Sequence, residues 1–419
     1  MRDTRPRVVI TGLGTVNPLG LDVETSWQNL LAGKSVIRRI TQFDPSPFRT
    51  QIAAEIDGFD PEEYMDAKDA RRIDRFVQLA IASVHQALAQ SKLTIDETNA
   101  YDIGIIIGSG IGGLRTINAG YEAMNTRGVR WVDPLTGAMM IVNIAAGQAA
   151  IDFGAKGPNF CVVSACATGS HVIGEAFEII RRGDAVAMIA GGSESAIVPF
   201  GMAAFDRIGA LSRRNDDPGR ASRPFDAKRD GFVFGEGAAA LVLESLEYAE
   251  ARGARILAEL VGYGATSDAS HITAPAEGGV GAAKAIEKAL AKAGLKPGDV
   301  DYINAHGTST QLNDKAETQA IKRVFGEYAY KIPISSTKSM TGHLLGTAGV
   351  MGGLVCVLTI LHGVIHPTIN YEYFDPECDL DYVPNRKREA KVRVAISNSF
   401  GFGGHNACLV FKAFQDGAS

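Results

Sequence analysis

The sequence predicts an α/β protein in which layers of helices cover buried strands. Five apolar segments have the length of buried strands, and they are residues 103–108, 185–190, 238–243, 302–305 and 391–397. Three segments place apolar side chains at helical spacing, and they are residues 70–89, 280–293 and 316–324. Because strands buried on both faces need helices to cover them, this alternation favours helix layers packed on sheets.

A faint internal duplication predicts two similar halves. The segment Arg7-Val-Val-Ile-Thr-Gly-Leu-Gly14 resembles Arg255-Ile-Leu-Ala-Glu-Leu-Val-Gly-Tyr-Gly264, since each is a strand that ends in Gly-x-Gly. The turn around Cys166 likewise parallels residues 333–342, because both turns end in Thr-Gly before an apolar helix. We therefore expect a first half over residues 1–257 and a second half over residues 258–419, joined in one compact core.

Composition and charge limit the classes of function and the compartment. The net charge is −5 with a pI of about 6.0, so the chain lacks the basic field that nucleic-acid binding requires. The five cysteines are an odd number, and the residues before the first strand have no leader-like composition. These features predict a cytoplasmic protein that keeps its cysteines reduced.

One apolar stretch raises the question of a membrane span. Residues 339–371 contain no Asp, Glu, Lys or Arg, and residues 346–361 have the composition of an apolar helix. A span needs about 20 apolar residues with interfacial anchors. This run is shorter and its glycines suit close helix packing, so we expect a buried core helix and no membrane span.

Cys166 is the most informative residue of the sequence. It lies in Asn159-Phe-Cys-Val-Val-Ser-Ala-Cys-Ala-Thr-Gly-Ser170, between an apolar run predicted as a buried strand and a helical pattern. A cysteine at the start of a helix meets free backbone N–H groups and the positive end of the helix dipole, and both favour the thiolate. The same N–H groups can hold the oxyanion of an attacked thioester. We expect Cys166 to be an acyl-transfer nucleophile.

Two histidines and a lysine are the other candidate catalytic residues. His306 follows a predicted buried strand in Asn304-Ala-His-Gly-Thr-Ser-Thr310, and His343 precedes the apolar helix, five residues after Lys338. A histidine offers a donor and an acceptor near neutral pH, although either one alone could be structural. The other cysteines show no metal-ligand spacing, and we expect no bound metal.

The ordered motifs resemble those of the β-ketoacyl-acyl-carrier-protein synthases, most closely the type II elongating synthases. The resemblance runs from Val8 to the final strand. The segments that carry it are Val163-Ser-Ala-Cys-Ala-Thr-Gly169, Ala190-Gly-Gly-Ser-Glu194, Ser222-Arg-Pro-Phe-Asp226, Asp230-Gly-Phe-Val-Phe-Gly-Glu-Gly237, Asn304-Ala-His-Gly-Thr-Ser-Thr310, Thr337-Lys-Ser-Met-Thr-Gly-His343 and Asn398-Ser-Phe-Gly-Phe-Gly-Gly404. It implies a thiolase-like fold of two similar halves in five alternating α and β layers, a homodimer and no cofactor.

The resemblance also implies a decarboxylative Claisen condensation that elongates fatty acids. Cys166 would accept an acyl chain from acyl carrier protein, and malonyl carrier protein would then lose CO₂ and attack the resulting thioester. His306 and His343 match the pair that promotes decarboxylation, and Lys338 matches a lysine that shapes the charge beside them. The backbone N–H groups of Cys166 and Phe402 match the oxyanion hole, and the Phe402 side chain matches a gate that moves on acylation.

Further positions correspond to substrate and carrier contacts of the family. Thr308, Thr310 and Phe400 match substrate-binding positions, and Ile111 matches a residue that limits the depth of the acyl tunnel. A basic patch that docks the acidic carrier protein would contain Lys68, Arg71, Arg72 and Arg207.

Two departures from the family pattern and four alternative functions remain. Gly352 stands where the family has a glutamate that organises the lysine–histidine network and, in some members, a monovalent cation, and Gln311 replaces a common proline. A polyketide-pathway ketosynthase is a close relative. A non-catalytic chain-length factor would lack Cys166, a degradative thiolase would need a second cysteine near His405, and a zinc hydrolase would need Cys166, His306 and His343 as ligands.

Overall fold

The computed structural model describes residues 5–415, which form fifteen strands. They are β1 (Val8–Val16), β2 (Arg38–Arg39), β3 (Ile52–Ala54), β4 (Ile103–Gly108), β5 (Asn159–Phe160), β6 (Ala187–Glu194), β7 (Phe234–Gly235), β8 (Gly237–Ser245), β9 (Ala258–Ser267), β10 (Tyr302–Asn304), β11 (Ile334–Ser335), β12 (Val364–Ile365), β13 (Arg388–Glu389), β14 (Val394–Gly401) and β15 (His405–Lys412).

The same residues form thirteen α-helices, of which the longest cover the sheet. They are α1 (Val23–Leu31), α2 (Ala67–Ala70), α3 (Arg75–Ser91), α4 (Leu114–Arg127), α5 (Thr136–Met139), α6 (Ile144–Phe153), α7 (Thr168–Arg182), α8 (Pro199–Ile208), α9 (Leu246–Ala251), α10 (Val280–Ala293), α11 (Gln311–Phe325), α12 (Lys338–Thr341) and α13 (Ala348–His362).

Ten of the strands form one sheet whose order is symmetric about its centre. The order is β11-β10-β14-β15-β9-β1-β8-β6-β4-β5. Outward from the central β1–β9 pair, each side continues with two antiparallel pairings and then two parallel pairings. Strands β1, β4, β5, β6 and β8 lie on one side and β9, β10, β11, β14 and β15 on the other, so the sheet has the two-half organisation that the repeated sequence segments predict.

The repeated Gly-x-Gly pairs lie inside β1 and β9, which continue beyond the predicted ends at Gly14 and Gly264 to Val16 and Ser267. A Cβ atom at Gly14 would lie 2.0 Å from the Ser83 carbonyl oxygen of α3, and one at Gly264 would lie 2.1 Å from the Ala285 oxygen of α10. The outer helices α3 and α10 therefore pack directly on β1 and β9. Helices α7 and α13 contact each other and strands of both halves, and form the middle layer between the two outer ones.

The predicted elements agree with the structure where the periodicity is strong. Strand β4 and helix α10 have the predicted bounds, 103–108 and 280–293. The long helix predicted over 70–89 begins later, at Arg75, because a separate turn of helix, α2, precedes it. The strand predicted before Cys166 is wrong: only Asn159 and Phe160 pair, at the exposed edge of the sheet.

The apolar stretch before residue 362 forms a core helix. The segment Leu345–His362 is long and apolar enough to cross a membrane, but 83% of it is buried inside the protein. Helix α13 is surrounded by side chains of α7, β14 and β8. It packs at Gly349, where a Cβ atom would lie 2.3 Å from the Ser170 nitrogen of α7. Its apolar character is therefore explained by burial in the middle layer.

Candidate active site

The close packing of α7 on α13 brings two turns together. Cys166 lies in the 3₁₀ turn Ala165–Ala167 before α7, and His343 lies just before the 3₁₀ turn Leu345–Thr347 that precedes α13. A Cβ atom at Gly169 would lie 2.5 Å from the Val350 nitrogen, so the first turns of both helices are in contact. Both turns open into one cavity of about 340 Å³ that Cys166, His306 and His343 line.

The backbone around Cys166 presents two N–H groups to the thiol. The backbone N–H groups of Cys166 and Phe402 both face the Cys166 sulfur and lower the pKa of its thiol. The end of β14 approaches closely at Gly401, where a Cβ atom would lie 3.1 Å from the Cys166 nitrogen and 2.8 Å from the Ser164 oxygen. The predicted oxyanion donors are therefore side by side in the structure.

The protonation state of Cys166 differs from the sequence-based expectation. Burial raises the pKa of its thiol to about 12, and the Lys338 ammonium and the two N–H groups offset this only in part. The nearby Glu194 carboxylate acts in the same direction as burial. The N–H groups at the elbow favour the thiolate as expected, but burial outweighs them, so the pKa of the Cys166 thiol is raised overall.

His306 and His343 form a buried, neutral pair. Their ring centroids lie 5.5 Å apart with the planes at 83°, and burial together with the Lys338 charge lowers the pKa of both imidazoles well below 6.5. The Leu345 N–H donates to Nδ1 of His343 at 3.2 Å, which leaves the ring hydrogen on Nε2. His343 Nε2 and His306 Nδ1 have no hydrogen-bond partner within residues 5–415. The pair is thus equipped to hydrogen-bond a substrate.

A buried carboxylate that the sequence analysis missed holds the His306 turn. Glu317 of α11 accepts hydrogen bonds from the backbone N–H groups of His306 at 2.8 Å and Gly307 at 2.7 Å. Burial raises the pKa of Glu317 and lowers the pKa of the equally buried Lys338, while the charge of each opposes the shift of the other. An acidic residue on the buried face of the helix predicted over 316–324 was the only signal in the sequence.

The cavity gathers most of the predicted substrate residues. Besides the three catalytic candidates, its walls contain Thr308, Thr310, Phe400 and Phe402. Lys338 is buried behind the wall and acts on it by charge. Phe205, which the sequence did not single out, stacks on Phe402 with ring centroids 6.4 Å apart.

Ile111 lies in an apolar cluster that also contains Cys166. Both side chains are partly buried against a core that includes Leu114, Met202 and Phe234. Ile111 does not line the cavity itself. Cys166 belongs both to the cavity wall, with the two histidines, and to the apolar cluster around Ile111, so the cavity and the cluster meet at Cys166. This arrangement is compatible with an acyl chain that extends from the sulfur toward Ile111.

The four candidate docking residues are exposed but lie on two different elements. Lys68 is on α2, and Arg71 and Arg72 follow it directly. Arg207 is in the last turn of α8, next to Ile208, which lines the cavity. Arg207 therefore lies at the cavity opening, whereas the other three belong to a separate surface segment.

The space beside Gly352 is occupied by two polar side chains. A Cβ atom at this position would lie 2.5 Å from Ser397 Oγ and 2.9 Å from Asn304 Oδ1. These two residues are paired across β10 and β14. A glutamate at position 352 would therefore require both side chains to turn away, and with glycine here the structure lacks the carboxylate that the family resemblance implies.

A zinc site formed by Cys166, His306 and His343 also lacks support. Within residues 5–415, no group of three or more His, Cys, Asp or Glu side chains has the arrangement of a metal site. At the start of the last strand, where a degradative thiolase would need its second cysteine, the chain carries His405. The described residues thus lack the ligand arrangement of the first alternative, and the sequence lacks the cysteine of the second.

Two family models match the chain one after the other. The β-ketoacyl synthase N-terminal domain matches residues 5–249, and the β-ketoacyl synthase C-terminal domain matches residues 257–372. Among curated proteins, the 3-oxoacyl-[acyl-carrier-protein] synthase 2 of Synechocystis sp. is 52% identical over 98% of this chain and 99% of its own length. The proteins of the same name from Staphylococcus aureus and Coxiella burnetii are each 51% identical with the same coverage.

Solved structures show the same fold. A β-ketoacyl synthase from Burkholderia phymatum is 38% identical, with a TM-score of 0.92 over 98% of this chain and 100% of that chain. A type II polyketide ketosynthase solved in complex with its acyl carrier protein is 34% identical, with the same TM-score and coverage. The fold of this chain is thus shared by a β-ketoacyl synthase and a polyketide ketosynthase.

Proposed function

Because the chain belongs to the β-ketoacyl synthase family, we propose that it is an acyltransferase that elongates fatty acids on acyl carrier protein. It condenses a Cys166-bound acyl chain with a malonyl unit and releases CO₂. The observation that carries this proposal is the meeting of Cys166, His306 and His343 in one cavity, with two backbone N–H groups on the sulfur. We set the boundary between its halves between residues 257 and 258, and the start of β9 at Ala258 supports this division.

The first half-reaction moves the acyl chain onto Cys166. The sulfur bonds to the thioester carbon, the thiol proton is released, and the carrier thiol departs with a proton. While the carbon is tetrahedral, its oxygen carries negative charge and accepts from the N–H groups of Cys166 and Phe402. Because the resting thiol is protonated, the nearby Lys338 charge favours the deprotonation that this step needs.

The second half-reaction forms the new carbon–carbon bond. As malonyl thioester loses CO₂, the electrons of the broken bond pass into an enolate whose oxygen accepts hydrogen bonds from His306 and His343. Neutral imidazoles suit this task, since each can donate one hydrogen bond without releasing a proton. The enolate carbon attacks the thioester on Cys166, and the Cys166 thiolate leaves and regains its proton.

Identity and cysteine usage separate this function from two alternatives. The curated 3-oxoacyl-[acyl-carrier-protein] synthase 2 proteins are 51–52% identical to this chain, whereas the polyketide ketosynthase of known structure is 34% identical. A chain-length factor has no nucleophile, and Cys166 is present with its N–H donors. The five free cysteines fit a reducing compartment, and we assign the protein to the cytoplasm.

Acyl carrier protein would dock on two groups of exposed basic side chains, one at the cavity opening and one on the segment around α2. Exposed Lys68, Arg71, Arg72 and Arg207 are complementary to an acidic partner, and such charges act mainly on the rate of encounter. Replacing Lys68, Arg71 and Arg72 by Glu should raise the KM for acyl carrier protein and leave kcat nearly unchanged. The rate of the wild-type protein should fall as salt is added, because salt screens these charges. A triple reversal of Arg386, Lys387 and Arg393 is the control, and equal kinetics in both triple variants would favour a merely solvated face.

A second copy of the chain would cover a large apolar surface. Between residues 117 and 163 the exposed apolar side chains are Ile117, Tyr121, Met124, Val129, Trp131, Leu135, Met140, Ile141, Ile151, Phe160 and Val163. This surface includes β5, the edge strand of the sheet, which is free to pair with another strand. We expect the wild-type protein to have the mass of a homodimer in solution and the Phe160→Asp variant to have the mass of a monomer. A monomeric wild-type protein would contradict the homodimer.

Mass spectrometry of acyl transfer tests the proposed function. The protein is incubated with acyl carrier proteins of varied chain length, digested, and the acyl adduct is located. We expect a single adduct on Cys166 and none in Cys166→Ala, with Cys161→Ala as the matched control that keeps the adduct. An adduct on another cysteine, or none with any chain length, would overturn the assignment.

A further inference from the structure

The carboxylate of Glu194 lies at the point where three catalytic segments meet. It is the last residue of β6 and is completely buried. Its two oxygens accept four hydrogen bonds: from Ser109 Oγ at 2.8 Å, and from the backbone N–H groups of Gly110 at 2.7 Å, Ile111 at 3.2 Å and Gly346 at 3.0 Å. Three of these donors belong to the loop of Ile111, and the fourth belongs to the turn that follows His343.

The backbone packs so closely around the Glu194 carboxylate that water has no room to take its place. A Cβ atom at Gly346 would lie 2.5 Å from the Gly110 nitrogen and 2.9 Å from Glu194 Oε2. A Cβ atom at Gly192 would lie 2.9 Å from the Gly346 oxygen. The Ile111 loop, β6 and the turn after His343 are thus in backbone contact, and the carboxylate is the group that satisfies their N–H donors.

We propose that Glu194 is a positioning residue that fixes the Ile111 loop relative to the His343 turn, and thereby sets both acyl chain-length selectivity and decarboxylation. The proposal rests on the proposed function, because it assigns Ile111 to the acyl tunnel and His343 to the enolate. Glu194 holds the Ile111 backbone nitrogen directly. On the other side it holds Gly346, one residue after Leu345, whose N–H donates to His343 Nδ1.

The test replaces this carboxylate by an amide of the same size. A glutamine has one acceptor oxygen and one NH₂ donor, so in Glu194→Gln at least one backbone N–H faces another donor. The matched control is Glu244→Gln, because Glu244 is also completely buried at a strand of the same sheet but pairs with Thr11 and Arg252. Both variants lose a buried carboxylate, and only one of them loses it at the site.

Three measurements are made at a temperature where each variant is folded. The rate of acyl transfer to Cys166, measured for several chain lengths, gives the selectivity. Release of CO₂ from malonyl carrier protein gives the decarboxylation rate. Hydrogen exchange of residues 109–113 and 344–348 reports on the order of the two segments without any substrate. We expect Glu194→Gln to lower the selectivity between the preferred chain and the next longer one by about threefold or more, as for one lost hydrogen bond. Decarboxylation should fall as well, and both segments should exchange faster.

The controls make each outcome decisive. Glu244→Gln should lose thermal stability and keep selectivity, decarboxylation rate and exchange in both segments. Unchanged selectivity in folded Glu194→Gln, or equal changes in both variants, would overturn the proposal. If Glu194→Gln does not fold, Ser109→Ala removes one donor to Glu194 together with the acceptor of the Gly112 N–H, and it should produce the same changes at smaller size. If both segments exchange faster in Glu194→Gln but the wild-type protein forms no acyl adduct, Glu194 does couple the two segments. In that case it is the proposed function that is rejected.

Discussion

The two halves use one backbone device for different purposes. In the first half, the 3₁₀ turn Ala165–Ala167 begins at a residue with φ of +51° and leads into the fifteen-residue helix α7. In the second half, the turn Leu345–Thr347 begins at φ of +46° and leads into α13, also of fifteen residues. Side chains other than glycine rarely adopt such angles, so both turns are held by their surroundings.

The corresponding second residues of these turns are Cys166 and Gly346. The Cys166 N–H points to the reactive sulfur, whereas the Gly346 N–H is satisfied by the Glu194 carboxylate. In the second half a protein carboxylate therefore takes the place that a substrate oxyanion would take in the first. The comparison teaches that the turn of the first half supplies the nucleophile and one backbone donor to the acyl group. The second half supplies the Phe402 N–H and the two imidazoles, and it carries no reactive group in its turn.

The largest expected effect concerns the imidazoles. His306→Ala and His343→Ala should each slow malonyl decarboxylation by ~10²-fold or more, because each removes a preorganised donor to the enolate. His366→Ala is the control, since this histidine is also completely buried but hydrogen-bonds to the Pro367 oxygen and Ser335 Oγ and does not line the cavity. Undiminished decarboxylation in both single variants would show that the two halves do not divide the work in this way.

The pH dependence of Cys166 alkylation should distinguish burial from activation at the turn. With a thiol pKa of about 12, the thiolate fraction and the alkylation rate should rise about tenfold per pH unit through pH 9, without a plateau. Lys338→Met removes a positive charge that lowers this pKa and should slow alkylation further. Alkylation by iodoacetamide is followed by mass spectrometry. If its rate reaches a plateau at or below pH 7, the helix N-terminus outweighs burial in setting the pKa of the Cys166 thiol.

The smallest expected effect is a shift in acyl chain length. Ile111→Ala should extend the accepted chains and Ile111→Phe should shorten them, since each buried CH₂ contributes about 0.8 kcal/mol until the chain meets a wall. Ile95→Phe, in a separate apolar cluster, should leave the profile unchanged. If folded Ile111→Phe keeps the wild-type length profile of acyl-Cys166, the Ile111 side chain only packs in the core.

The sequence predicted the repeated parts of the fold and the three central side chains. Strand β4 and helix α10 have strong periodicity, and the Gly-x-Gly repeats follow from helix packing on β1 and β9. The short apolar run before Cys166 was misleading, because its exposed residues Phe160 and Val163 belong to a surface rather than to a buried strand.

The electrostatics of the site depend on contacts that a sequence pattern does not contain. The sign of the Cys166 pKa shift follows from burial by distant segments, which outweighs the local N–H groups. Glu194 and Glu317 are single acidic residues in ordinary patterns, and their roles arise from N–H donors up to 152 positions away. Such long-range pairings appear only once the chain is folded.

Separating the two half-reactions tests the central claim most directly. Cys166→Ala and His343→Ala are each incubated with acyl and malonyl carrier proteins, and acyl-enzyme, released CO₂ and condensed product are measured together. We expect Cys166→Ala to release CO₂ without acyl-enzyme or product, and His343→Ala to form acyl-Cys166 at the wild-type extent while CO₂ release nearly stops. Loss of acylation in His343→Ala, or loss of decarboxylation in folded Cys166→Ala, would contradict the division of work between the halves.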